Sequence, residues 1–236
     1  MANRNNRKYK WFDDGFHPDY IRNASLDGRL GMPAIDRDDR VTIPDILVPF
    51  SKVKYCKENN IGLVFYEDDK EFVEKLNNLE SDECLSAFDR SSIIVTPDYS
   101  ISLNAPPLVK VFSIYKSRVI GAKLQDMGYK VVPNVRCGDG DTFTSTLFPE
   151  PPAFLGVPKY WIVSVGSYGI CDNIELKSIF RRGLIAMLDY LEPETVLVYG
   201  PMPNDVFGDL LDRAKFIRFD DWNTFVHRKG SNNGAK

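Results

Sequence analysis

The stretch Tyr160-Trp161-Ile162-Val163-Ser164-Val165-Gly166 is a short apolar run that stops abruptly at a small residue. Three further stretches share the pattern: Ser92-Ile93-Ile94-Val95-Thr96-Pro97-Asp98, Lys130-Val131-Val132-Pro133-Asn134-Val135-Arg136 and Val196-Leu197-Val198-Tyr199-Gly200-Pro201. Short runs without a polar face read as parallel strands buried on both sides. Parallel strands aim their carboxyl ends at one crevice, where ligands bind in α/β proteins. Asp98, Arg136, Ser164, Gly166 and Tyr199 are therefore expected on one rim, with Gly200 beside it.

Outward from these runs the alternation continues. Ile43 to Phe50, broken by Pro44 and Pro49, reads as an edge strand because proline removes a ladder donor. Ile61 to Tyr66 and Phe216 to Phe219 read as two more strands. Between strands, helices are expected over Ser51 to Asn59, through Phe72, Val73, Leu76 and Leu79, from Pro106-Pro107 to Gly128, and over Asp205 to Ala214. Another starts at Asp172-x-x-Glu175, a capping-box-like pattern, with Ile174, Leu176, Ile179, Phe180, Leu184, Leu188 and Leu191 as its core face; Pro193 stops it. The fold class is α/β, with a mainly parallel sheet of about six or seven strands, either an open three-layer sandwich or an incomplete TIM-like barrel. Residues 1–40 read as an irregular basic arm packed by Trp11, Phe12, Phe16, Tyr20 and Ile21, residues 41–222 as a single α/β domain, and residues 223–236 as a flexible basic tail. Pro149 to Pro158, with its four prolines, reads as a surface connection.

Composition narrows the function classes. With 43% apolar and 27% charged residues the chain has the balance of a soluble protein, and its longest apolar runs fall far short of a membrane span. The amino terminus has charge but no apolar stretch behind it, so no secretory signal is expected and the location is cytoplasmic. Cys56, Cys84, Cys137 and Cys171 lack any paired spacing and read as free thiols. Only His17 and His227 are present, which removes histidine-rich metal sites and disfavours a serine–histidine centre in mid-fold. A net charge of −3 predicts no whole-molecule attraction to nucleic acid. Local basic clusters remain: Arg4, Arg7, Lys8 and Lys10 at one end, and His227, Arg228, Lys229 and Lys236 at the other, as contacts for a nucleic-acid or protein partner.

Several constellations carry chemistry. Asp68 or Asp69, Asp98, Asp139 or Asp141, and Asp220 or Asp221 all follow expected strands, so they can converge on Mg²⁺ or Mn²⁺ for phosphoester hydrolysis; aspartate is equally at home in turns and helix caps. Asp98, Arg136 and Asp139 are the catalytic candidates, and Asp98, Asp139 and Asp141 the metal ligands. Gly166-Ser167-Tyr168-Gly169 is either a tight turn into a helix or a phosphate cradle, although it has no Walker lysine and acids follow it. Cys137 and Cys171 follow strands too, as rim thiols or as small buried residues. On the long helix, Arg118 is either part of a solvated face or an arm over the rim toward an anionic ligand or partner.

The central motifs also carry a resemblance. Pro97-Asp98-Tyr99-Ser100, Tyr115-x-x-Arg118-x-x-Gly121-x-x-x-Gln125-x-x-Gly128, Val132-Pro133-x-Val135-x-x-x-Asp139, Gly156-x-Pro158-Lys159, Phe180-x-x-Gly183 and Val198-Tyr199-Gly200 occur in order. Over residues 97–200 the chain resembles domain-of-unknown-function family forty-four seventeen, of phages, plasmids and bacteria. Cys137 departs from the pattern, where similar proteins are expected to carry tryptophan. The resemblance implies no activity; it implies a mobile-element or phage accessory protein that binds a nucleic-acid or protein partner. The alternative is a metal-dependent phosphoesterase or other small-ligand enzyme that uses the rim carboxylates.

Overall fold

Each apolar run does alternate, but between two cores rather than between core and water. In the computed structural model, which describes residues 14–170 and 173–233, the strands are β1 Leu26–Asp27, β2 Met32–Pro33, β3 Ile46–Pro49, β4 Ile61–Val64, β5 Ser91–Val95, β6 Val131–Val132, β7 Ile162–Gly166, β8 Thr195–Tyr199 and β9 Lys215–Phe219. The α-helices are α1 Asp82–Asp89, α2 Pro107–Asp126, α3 Gly140–Phe143, α4 Ile174–Leu191, α5 Asn204–Phe207 and α6 Trp222–Asn233. Val163 and Val165 of β7 and Val196 and Val198 of β8 pack with Leu184, Met187 and Leu188 of α4. On the same strands Ile162, Leu197 and Tyr199 point the other way, into a cluster with Leu47, Val64, Val95 and Val132 from the earlier strands. Burial on both faces is why these strands have no polar side.

The parallel strands form two sheets, β3-β4-β5-β6 and β7-β8-β9, each in chain order, and β1 and β2 form a separate antiparallel pair. A single parallel bridge, Asn134 to Ser164, joins the two parallel sheets, and Val135 N–H donates to the Ser164 carbonyl at 2.8 Å. The expected single sheet of six or seven strands is thus divided, because β6 is only two residues long before Pro133 interrupts the ladder. β3 lies at one edge, consistent with its prolines.

Elsewhere the elements differ from the sequence reading in instructive ways. Phe72, Leu76 and Leu79 are buried, but the backbone there makes 3₁₀ turns at Asp69–Glu71 and Lys75–Asn77, and Phe50–Tyr55 is also 3₁₀. A spacing of three or four apolar residues suits either helix type. The α-helix comes next, α1, capped by the Ser81 side chain. Helix α2 begins at Pro107 as read. The cap of α4 is Asn173, which accepts from Leu176 N–H; Cys171 and Asp172 lie outside the described residues. Ile174 is 88% exposed, because the first turn of α4 overhangs its core, whose buried contacts start at Gly183.

Pro151 to Pro158 is buried rather than superficial, with Ala153, Phe154 and Leu155 almost fully enclosed. A buried irregular segment needs partners for its carbonyls. Arg118 supplies them: it donates to the carbonyls of Ala153 and Leu155 and, at 2.9 Å, to that of Asn134. Gly156 is required here, since its φ is +72° and a Cβ would strike the Pro33 carbonyl. Trp11 and Phe12 lie outside the described residues, while Ile21 is fully buried, with Phe16 and Tyr20 packed around it. In place of a flexible tail, Trp222–Asn233 form α6, started by Asp221 accepting from the amides of Asn223 and Thr224 at 3.1 Å and held by Trp222 and Phe225 against the first sheet's helix-side core. Among the described residues no helix is long and apolar enough to cross a membrane.

Candidate functional site

The carboxyl ends of the parallel strands surround a cavity of about 450 Å³. Every strand of both parallel sheets, or the residues just after it, contributes: Pro49 from β3, Tyr66 and Glu67 after β4, Asp98 after β5, Arg136 after β6, Gly166 from β7, Tyr199 from β8 and Asp221 after β9.

A hydrogen-bonded chain runs from the interior to this mouth. Ser164, fully buried on β7, and Tyr66 place their hydroxyls 2.8 Å apart. Tyr66 Oη donates to Asn134 Oδ1 at 3.0 Å, and Asn134 Nδ2 donates to Asp98 Oδ1 at 2.8 Å. Asp98 Oδ2 accepts from Arg136 Nη1 at 2.6 Å. Asn134 is fixed by its backbone, whose N–H donates to Thr96 Oγ1 and whose carbonyl accepts from Arg118. The ring of Tyr66 stacks on that of Tyr199 with centroids 5.4 Å apart. Gly166 leaves room for that stack, since a Cβ there would come within 2.5 Å of the Tyr66 ring.

The electrostatics follow from burial. Asp98 is 8% exposed, and desolvation raises its carboxyl above the ordinary aspartate value, although Arg136 and Asn134 favour the charged form. Burial likewise raises Glu67 against the two hydrogen bonds it accepts from Ser51. Burial and the neighbouring Asp98 charge push the Tyr66 phenol well up, so it remains a neutral donor. Two carboxyls raised above their ordinary range thus border one mouth, Asp98 paired with Arg136 and Glu67 with Ser51.

Of the residues expected at the rim, Asp98, Arg136, Gly166 and Tyr199 border the mouth. Ser164 lies beneath it, and Gly200 spends its φ of +111° on a turn where a Cβ would meet the Tyr168 amide. Asp139 and Asp141 point elsewhere: both pair with Lys110, which is buried on α2, Asp141 at 3.3 Å. They clamp α3 and its loop to α2, so the expected metal-ligand set of Asp98, Asp139 and Asp141 does not converge. Asp69 binds the Ser100 amide and hydroxyl, and Asp220 pairs with Arg218 and Arg228. Among the described residues no group of three or more His, Cys, Asp or Glu side chains could hold a metal ion. Arg118 is 1% exposed with its donors on carbonyls, so it offers no arm to a partner. Burial raises the Cys137 thiol to about 12, against a nucleophilic role, and Gly183 is the residue that accommodates it, with the Cys137 Cβ 2.6 Å from where a Cβ would stand. Arg4, Arg7, Lys8 and Lys10 lie outside the described residues. Sequence reasoning missed Tyr66, Asn134 and Glu67: Glu67 followed an expected strand end, whereas Tyr66 and Asn134 lay within expected strands that the fold ends earlier, at Val64 and Val132.

A model of the domain of unknown function DUF4417 matches residues 24–220. The chain belongs to this family. The match extends well beyond the stretch that carried the motifs and takes in every strand end of the mouth except Asp221. The Gene 1 protein of Mycobacterium phage L5 is 29% identical over 180 residues, covering 75% of this chain and 75% of its own length. The Gene 1 protein of Mycobacterium phage D29 is 29% identical over 147 residues, covering 62% of this chain and 51% of its own length. No solved structure matches. The DUF4417 chain is thus related to phage proteins whose names state no activity.

Proposed function

We propose that this DUF4417 protein is a phage-type accessory protein that works by holding a small polar ligand in the mouth at the strand ends, with Arg136 as anchor and Asp98 as the proton-exchanging group. The observation that carries this reading is the pairing of buried Asp98 with the half-buried Arg136 on a cavity to which all the parallel strands contribute. The sequential strand order and the cluster shared by the strand faces away from the helices support an incomplete barrel over an open three-layer sandwich, and a barrel binds at this end. The contrasting reading, contact with nucleic acid or a protein through Arg4, Arg7, Lys8 and Lys10, draws on residues outside those described. A phosphoesterase built on Asp98 with Asp139 loses its support from the pairing of Asp139 with Lys110.

A thermal-shift screen of amino acids, nucleotides and sugar phosphates separates the readings. The wild-type protein is expected to be stabilised by about 2 °C or more by at least one compound, and Asp98→Asn to lose that shift. A variant neutralised at Arg4, Arg7, Lys8 and Lys10 keeps it. No shift with any compound, together with DNA or protein binding abolished in the neutralised variant, overturns the small-ligand reading.

A further inference from the structure

The mouth does not end at Arg136. A second cavity of about 200 Å³ adjoins it, and Arg136, Gly166, Tyr168 and Gly169 border both. The two compartments differ in chemistry. The second is walled by Ile101, Leu103, Val135, Leu176, Ile179 and Phe180, and Arg136 is the one charged side chain on it among the described residues. The mouth sets Glu67, Asp68, Glu71, Asp98 and Asp221 against Lys52 and Arg136, so its formal balance is negative. Tyr168, Tyr199 and Trp222 also border it.

A ligand that satisfies both compartments has an apolar body, a cationic end, and an acceptor where they meet. Among the described residues Arg136 hydrogen-bonds only through Nη1, to Asp98, which leaves its other donors for a planar carboxylate. A cation in the mouth gains from the carboxylates. An α-amino acid has these three features branching from one carbon, and Arg136 stands where the two cavities meet. We infer that the ligand is a free amino-acid-like zwitterion with a bulky apolar side chain: carboxylate on Arg136, ammonium toward Asp98 and Glu67, side chain in the apolar annex. This rests on the reading of the mouth as a small-ligand site. A peptide terminus does not meet the demand, because it lacks either the free carboxylate or the free ammonium on that carbon.

Isothermal titration with L-phenylalanine, glycine, phenethylamine and 3-phenylpropionate tests each feature. L-Phenylalanine is expected to bind, and the other three, lacking side chain, carboxylate and ammonium respectively, to bind about tenfold more weakly or worse. Leu176→Trp, which fills the annex from the half-buried face of α4, is expected to weaken L-phenylalanine about tenfold and leave glycine unchanged. Arg136→Lys, which keeps the charge but loses the planar fork, is expected to weaken L-phenylalanine by a larger factor than phenethylamine. Circular dichroism confirms that each variant is folded, and Leu176→Ala, which enlarges the annex, is the second variant should Leu176→Trp not fold; it is expected to accept L-tryptophan more readily than wild type. Equal binding of phenethylamine and L-phenylalanine overturns the assignment of Arg136. Absence of L-phenylalanine binding overturns the zwitterion; if another compound stabilises the protein through Asp98, the mouth reading survives, and if none does, both fall.

Discussion

Asp98 is a carboxyl whose charge state depends on its buried surroundings. Its folded value is raised by burial, so the native state keeps the proton at pH values where the unfolded chain has released it. The associated stability is full below about pH 4, the unfolded value, and is lost as pH rises through the raised folded value. The side-chain amide introduced by Asp98→Asn titrates nowhere in this range. The difference in melting temperature, wild type minus Asp98→Asn, is therefore expected to fall as pH rises from about 4 toward neutrality; a difference that stays level or grows contradicts a raised carboxyl. Arg118 makes a different prediction. It is enclosed and donates to three carbonyls. Arg118→Leu is expected to cost about 3–5 kcal/mol in urea unfolding, because buried carbonyls lose their donors. Sequence alone could not reveal this, since Ala153 and Leu155 lie 35 and 37 residues away on a segment whose regular structure is one 3₁₀ turn, Pro152–Phe154.

Among the elements, the strands were legible and the pieces between them less so. A run such as Val196 to Tyr199 is apolar at every position because Val196 and Val198 meet α4's core and Leu197 and Tyr199 meet the interior. That double burial also predicted where the runs end, and hence put Asp98, Arg136, Gly166 and Tyr199 on the mouth. Segments of one-sided burial carried a weaker signal: Phe72 and Leu76 fit a helical spacing that the chain realises as 3₁₀ turns. The acids after strands were ambiguous for another reason. Asp98 and Asp139 both follow strands, and only the fold shows that buried Lys110 claims the second. Asp139→Asn is accordingly expected to destabilise the protein by about 2 kcal/mol and leave ligand affinity unchanged, as read by urea unfolding and calorimetry. At β7, Gly166→Ala is expected to have the opposite profile. The added methyl displaces the Tyr66 ring from Tyr199, so ligand affinity falls several-fold with a smaller loss of stability.

For the whole molecule, strand order decides where a ligand goes. Parallel strands laid down in chain order have no reversal point, so the sheets have no switch crevice of the doubly wound kind; in the proposed function the shared interior and its mouth take that role. Both architectures place a site at the carboxyl ends, which is why the rim was legible before the architecture was. The division into two parallel sheets was not, because it turns on Pro133 and a single bridge at Asn134. The same Asn134 passes hydrogen bonds from Tyr66 to Asp98, so the seam between the sheets and the floor of the mouth are one structure. The most direct measurement is an amide-resolved NMR titration of the wild-type protein with the strongest stabilising compound of the thermal-shift screen. Shifts concentrated on Tyr66, Glu67, Asp98, Arg136, Gly166 and Tyr199 are the predicted result; shifts that spare these strand ends and gather around Lys110 and Asp139 or along the outer helices would contradict it.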